Sequence, residues 1–396
     1  MKKQISIGKT LLICIICVAI TFVATLSIST VVSKSNREGA STLVNKLAEL
    51  EKLVDQNFVG TVDDNELSDF IMSAYIAGLN DKYSRYLSVD QMNEYIASLN
   101  SELVGIGVTV VYNEEPEGIY VITVMDGSPA QTAGIKPGDI ITSVQGTTVT
   151  SENYDSVVNS VKGKEGEKRT VSLLCGPDYT SSKELELTLK KVIQPTVNYE
   201  FHDNATAYIE ITSFNSPTPQ EFRSALEQAA KDGAKQYIFD VRSNPGGSLD
   251  AIVSVLDMLL GKGVIVTITD ADGNTVKQYD SAESKLVDAP MAVLINSSTA
   301  SAAELFCAAL RDYDAAVLVG TTTYGKGTMQ TILRLSDGSG VSLSTNRYNP
   351  PCGVNYEGVG VTPHVISELT QEQQEHFYQL TYDDDPQIQA ALNALK

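Results

Sequence analysis

Residues 291–313 read MAVLINSSTASAAELFCAALRDY. An apolar run of strand length passes through small polar residues and, from Ser301, into apolar residues at helical spacing. The same order repeats on both sides. AYIEITSF (207–214), QYIFDVR (236–242), GVIVTITD (263–270) and AAVLVG (315–320) read as strands. PQEFRSALEQAAKDG (219–233) and SLDAIVSVLDMLLG (248–261) read as helices. Residues 191–366 thus predict an α/β core on a mostly parallel sheet.

A serine at a helix N-terminus has free N–H groups and the helix dipole beside it, and both can stabilise an oxyanion. Most serines there are only caps. A nucleophile also needs a base within hydrogen-bond reach, usually histidine. His202 lies in a loop at a strand, His364 follows a proline, His376 falls in the tail, and no triad-like motif flanks them. Lys326, in TTTYGKGTMQ (321–330), sits in a Gly-flanked loop after a buried-looking strand. Burial lowers a lysine's pKa and so supplies the neutral amine a base requires. If the chain is extended there, Gln330 shares a face with Lys326 and its amide can orient the amine. Glu304 reads as a first-turn charge favoured by the dipole rather than as a catalytic acid. Residues 320–326 also spell G-x-x-x-x-G-K, but a phosphate loop needs Ser or Thr next and then a helix. Gly327 follows instead, and TMQTILRL running into SDGSG reads as a hairpin.

Upstream, the period turns strand-like. GIGVTVVY (105–112) and GIYVITVM (118–125) flank an acidic turn, and SPAQTAGIKPGDIITSVQGTTV (128–149) adds a short helix, a Pro-Gly-Asp turn and a strand. Ser151 is placed to cap a helix carrying Val157, Val158 and Val161, before RTVSLLC and LELTLKK. Residues 104–190 resemble a PDZ domain in its permuted bacterial form. That resemblance implies that Gly105, Ile106, Gly107 and Val108 present N–H groups to a peptide's terminal carboxylate. Val157, Val158 and Val161 would line the apolar pocket, and the peptide would add as a strand.

STASAAE, YGKGTMQ and the turn DVRSNPGG, with DKYSRYLS (81–88) and LSDGSGVSLSTNRYNPPCG (335–353), together resemble the C-terminal processing peptidases, a Ser-Lys protease family. The likeness covers nearly all of the chain after residue 40. It implies Ser301 as nucleophile, Lys326 as base and Gln330 as the group positioning the lysine. It also implies an oxyanion hole from the N–H of Ala302 and of Gly246 or Gly247, with no metal or organic cofactor. A Pro-Gly-Gly turn leading into a helix leaves N–H groups free, in agreement. Substrates are expected to be proteins or peptides with apolar C-termini. The competing reading is a catalytically silent PDZ-bearing scaffold.

The N-terminus is of another kind. Lys2, Lys3 and Lys9 precede residues 11–32, which carry no charge. Such a helix is roughly 33 Å long, enough to cross a bilayer. Basic flanks keep residues 1–10 cytoplasmic, so a single-pass anchor with an extracytoplasmic catalytic body is expected. The rival is a cleaved signal and a secreted protein. Residues 41–100 read as helical: Leu43, Leu47, Leu50 and Val54 recur at helical spacing, and Ser88 with Gln91 forms a capping box. These helices and the tail, residues 367–396, are candidates for a homodimer contact. Five of the 29 Lys and Arg and one of the 49 Asp and Glu precede residue 41, leaving 24 against 48 beyond it. So acidic a body argues against nucleic acid as a partner. Cys14 and Cys17 lie in the apolar stretch, while Cys175, Cys307 and Cys352 show no metal spacing. The whole reads as a multi-domain α/β protein.

Overall fold

This computed structural model describes residues 38–176, 178–282 and 285–396. The charge-free stretch 11–32 lies outside the described residues, among which no helix is long and apolar enough to cross a membrane. The chain divides into two units, residues 1–68 and 69–396. The first carries Glu38–Asn57 (α1) and the start of Asp64–Ala77 (α2). On α1, Leu43 and Leu50 are exposed and Leu47 is half-buried.

In the second unit, α2 is followed by Arg85–Leu87 (β1) and Val89–Leu99 (α3). The Gln91 N–H donates to Ser88 Oγ and the Ser88 N–H to Gln91 Oε1, completing the capping box that opens α3. β1 departs from the helical reading of residues 41–100. Its partner is a strand some 250 residues later in the chain, and three residues carry no periodicity by which a strand could be told.

Next come Glu102–Gly105 (β2), Val108–Asn113 (β3), Gly118–Val124 (β4), Pro129–Thr132 (α4), Ile140–Val144 (β5) and Thr147–Thr148 (β6). Tyr154–Ser160 (α5), Lys168–Cys175 (β7), Ser181–Thr188 (β8) and Lys190–Ile193 (β9) complete this part. Its antiparallel sheet runs β3-β4-β5-β7-β8, with β6 on β5, while β2 pairs with β9. Ile106, Ile119, Val121, Ile141, Val171 and Leu173 fill its core. Ser151 is not the cap of α5. The helix opens three residues later behind Asn153, and the Ser151 N–H instead donates to a Glu117 carboxylate oxygen.

The remainder is Val197–His202 (β10), Thr206–Ile211 (β11), Thr218–Asp232 (α6), Gln236–Asp240 (β12), Leu249–Leu259 (α7), Gly263–Thr269 (β13) and Thr275–Ser281 (β14). Met291–Ile295 (β15), Ala302–Asp312 (α8), Val317–Gly320 (β16), Thr328–Arg334 (β17), Gly340–Asn349 (β18) and Val365–Ile366 (β19) follow. Gln371–Glu375 (α9) and Pro386–Ala394 (α10) end the chain. One sheet, β10-β11-β12-β15-β16-β19, is parallel except for the β10–β11 pair. Alternation along its strands feeds two cores. Phe239 and Val293 pack with Phe222, Leu226, Ile252, Leu256 and Phe306 of α6, α7 and α8. Ile238, Ala292 and Leu294 pack with Ile388 and Ala391 of α10. Burial on both faces is why these strands read as unbroken apolar runs.

One expectation is corrected by the sheet topology. GVIVTITD does form a strand, β13, but in a second, antiparallel sheet of order β1-β18-β13-β14 with β17 on β18. A β-branched apolar run suits either kind of sheet and does not name its partner. Within the tail, α10 is folded against the chain's own parallel sheet. That sheet would otherwise expose an apolar face.

Candidate active site

The β15–α8 connection delivers Ser301 as the N-cap of α8, with φ 58° and ψ −118°. A serine in that conformation carries about 1–3 kcal/mol of backbone strain, held by its surroundings. Asn296 and Thr299 brace the loop: the Asn296 N–H donates to Thr299 Oγ1 at 3.0 Å, and Thr299 Oγ1 donates to the Val241 carbonyl at 2.8 Å. The Ala300 N–H donates to the Asn244 carbonyl at 2.9 Å. Two loops, 241–247 after β12 and 296–301 after β15, are thereby locked edge to edge.

Glycine is required in the first of these loops. Gly246 has φ +101°, and a Cβ there would lie 2.8 Å from the Ala300 carbonyl oxygen and 2.9 Å from both the Ala302 nitrogen and Ser301 Cβ. The Gly246 N–H is already committed to Asn244 Oδ1, at 2.8 Å. At Gly247 (φ +147°) a Cβ would lie 2.2 Å from the Phe214 carbonyl oxygen. Among the described residues, neither the Gly247 N–H nor the Ala302 N–H has an acceptor. Of the two glycines, Gly247 is thus the one whose N–H is uncommitted among the described residues.

Glu304 does far more than complement a dipole. It is fully buried, and its carboxylate accepts four hydrogen bonds. Oε2 takes the N–H of Ser301 at 2.9 Å and that of Lys326 at 2.7 Å. Oε1 takes the Thr323 hydroxyl and the Gly325 N–H, each at 2.6 Å. One carboxylate therefore brings the backbone of the expected nucleophile and that of the expected base together. Its three-residue spacing from Ser301 is the capping-box spacing, the one signal by which this role could have been found.

Lys326 stands in the loop between β16 and β17, as expected, and the strand that follows removes the phosphate-loop reading. Its Nζ lies 4.9 Å from the centroid of the Tyr83 ring. Burial pushes the amine below the ordinary lysine range, and the Arg85 guanidinium pushes the same way, against Glu357, Asp81 and Glu304. Among the described residues no hydrogen bond joins Nζ to Ser301 or to Gln330. Lys326 precedes the strand that begins at Thr328, so strand alternation does not by itself place it on one face with Gln330. The Gln330 amide donates to the Thr328 carbonyl and to Ser344 Oγ, both at 3.2 Å. Glu357 pins the loop from the other side. It accepts from the Gly327 N–H and the Thr328 hydroxyl at 2.8 Å, and from the Tyr83 hydroxyl at 3.1 Å. Tyr83, Arg85 and Glu357 were not singled out by the spacing of chemical groups, since they come from distant parts of the chain.

The histidines are engaged elsewhere. His202 Nε2 pairs with Glu200 and its ring stacks on Tyr382 at 3.6 Å. His364 Nδ1 accepts from the Leu318 N–H, and His376 Nδ1 meets the Glu372 carbonyl. Among the described residues, none of the three histidines has a hydrogen bond to Ser301.

In the β3–α5 region, Gly107 has φ +80°, and a Cβ there would lie 2.3 Å from Ser128 Cβ. The Ile106 and Gly107 carbonyls accept from Ala130 and Met125, turning the peptide units of this loop. β3 ends its sheet, leaving an edge beside α5. Val157 and Val161 pack with Ile106 in the core, and Val158 is half-buried.

Comparison with known proteins gives two family matches: Peptidase family S41 over residues 205–367 and the PDZ domain over residues 97–175. The chain is 32% identical to a carboxy-terminal processing protease of Bacillus subtilis, CtpA, over 375 residues, 93% of this chain and 78% of that one. It is 31% identical to a probable CtpA-like serine protease of Staphylococcus aureus over 361 residues, 91% of this chain and 71% of the other. Among solved structures, a photosystem II D1 C-terminal processing protease matches with TM-score 0.50 and 29% identity, over 81% of this chain and 86% of that one.

Proposed function

Because the chain belongs to the carboxy-terminal processing proteases, which are serine-type peptidases, we propose that it hydrolyses peptide bonds with Ser301 as nucleophile and Lys326 as base. The Lys326 amine leaves the Tyr83 face and takes the Ser301 hydroxyl proton as Oγ bonds to the scissile carbonyl carbon. The oxygen of that carbonyl becomes an oxyanion held by the N–H groups of Gly247 and Ala302. As the C–N bond breaks, the Lys326 ammonium returns the proton to the leaving amine, and an acyl-enzyme remains. Water then gives a proton to Lys326 and adds to the ester. Collapse releases the new carboxyl end and restores the serine hydroxyl.

The observation that carries this reading is the Glu304 carboxylate, which accepts from both Ser301 and Lys326. The test is cleavage of an internally quenched peptide ending in a free apolar residue. Ser301→Ala and Lys326→Ala are each expected to abolish turnover without changing the melting temperature by more than a few degrees. Activity surviving in Lys326→Ala, or lost on replacing a histidine instead, sinks the assignment. On the same reading, the peptide's C-terminal segment adds to the β3 edge. Its carboxylate meets the N–H groups of residues 106–108 and its last side chain the apolar lining beside Val158. Residues 11–32 anchor the protein and place the peptidase outside the cytoplasm.

A further inference from the structure

Arg242 lies between β12 and the Gly246–Gly247 pair, and its side chain is almost wholly buried. A buried guanidinium is stable only when its donors are matched. Asp240 takes Nε on both carboxylate oxygens, at 3.0 and 2.9 Å. The other fork is taken by the end of the chain: Nη1 donates to Asp385 Oδ2 at 2.6 Å and to Gln387 Oε1 at 2.9 Å. The Phe377 ring covers the guanidinium, 4.7 Å from Cζ. Asp385 is itself fixed, since its Oδ1 caps α10 by accepting from the N–H groups of Gln387 and Ile388. Gln387 is fixed by donating to the Ser367 carbonyl at 2.6 Å. α10 is held in turn by Ile388 and Ala391.

On the other side of Arg242 the chain leads straight to the active-site loops. Val241 is hydrogen-bonded through its N–H to Leu294 and through its carbonyl to Thr299 and to the Asn244 N–H. Asn244 holds Ala300 with its carbonyl and Gly246 with its side chain. A rigid series of bonds therefore runs from α10 through Arg242 to both loops beside Ser301. We propose that Asp385 and Gln387 are positioning residues of the peptidase, setting the 241–247 turn so that the Gly247 N–H points at the oxyanion. This rests on the assignment of that turn to the oxyanion hole. It makes the C-terminal segment part of the working site rather than a cover for the sheet.

The experiment compares Asp385→Asn with Ile388→Ala in the full chain. Asp385→Asn keeps the size of the side chain but removes the charge facing Arg242, whereas Ile388→Ala loosens α10 without touching the guanidinium. Steady-state cleavage of the quenched peptide is read with amide hydrogen exchange at Gly246 and Ala300. For Asp385→Asn, kcat is expected to fall at least about tenfold with KM within about twofold, and both amides to exchange faster. For Ile388→Ala, the melting temperature is expected to fall while kcat and those amides stay near their original values. The proposal is overturned if Asp385→Asn leaves kcat and exchange unchanged, or if Ile388→Ala reproduces its effects. A Ser301→Ala protein that still cleaves would instead refute the active-site reading, and the exchange measurement would still decide whether the tail sets the turn.

Discussion

Glu304→Gln is the most incisive perturbation of the site. The carboxylate accepts four hydrogen bonds with no exposure to water. A glutamine has one acceptor oxygen and an NH2 group that must face two donors. The cheaper orientation points the NH2 toward Thr323 and Gly325, because the Thr323 hydroxyl can reverse and accept. Only the Gly325 N–H is then stranded, at about 1–3 kcal/mol, and three charge-assisted bonds weaken to neutral ones at about 1 kcal/mol each. The loss is about 4–6 kcal/mol, equivalent to a melting temperature lower by roughly 6–9 °C for a unit of this size. If half of it is felt in the transition state, where Ser301 and Lys326 must be in register, kcat falls about 30- to 160-fold. The assay is differential scanning calorimetry beside cleavage of the quenched peptide. Glu304→Gln with kcat within about twofold of the original would refute the claim that this carboxylate holds the two groups together. Loss of activity in proportion to unfolded protein alone would refute it equally.

The cleavage rate should rise with pH as Lys326 loses its proton, with a midpoint below the ordinary lysine range, because burial and then Arg85 disfavour the ammonium. Arg85→Gln removes the second influence, so the midpoint should move up and the rate at neutral pH should drop; an unmoved midpoint in the pH profile would remove Arg85 from the account. Amidating the substrate C-terminus should weaken capture by about 1–3 kcal/mol, or about 5- to 150-fold in rate below saturation. Equal rates for free and amidated peptides would mean that the β3 edge does not read C-termini. Protease added to intact cells should degrade the body, and N-terminal sequencing should find the mature chain beginning near Met1. A start between about residues 30 and 40 would favour secretion over anchoring.

The parts legible in the sequence are those whose signal is local. MAVLIN into SAAELF gave β15 and α8 because a doubly buried strand and an amphipathic helix each leave a periodic trace over few residues. The cap of α3 and the β17–β18 hairpin were legible for the same reason, as was the placing of Lys326 in a Gly-bounded loop. What escaped is the set of contacts made across the chain. β1 is three residues long and takes its identity from β18. Glu304 looked like a charge suited to a helix start, and its local geometry is indeed that of a capping box. Only the approach of residues 323–326 turns that cap into a fixture for the base. Gln330 marks where a local rule stops, because Lys326 lies before the strand and alternation does not reach it. Arg242 shows the same limit once more. DVR reads as the end of a strand, and DDDP reads as a break between tail helices. Neither contains a sign that Asp385 lies beneath the Arg242 guanidinium. Both groups are charged residues in a protein whose acidic excess makes any one carboxylate look like solvated surface. Burial is what distinguishes them, because a charge withdrawn from water must find its partner. In this chain the carboxylates that escaped the sequence, Glu304 and Asp385, are the ones that set the loops around Ser301.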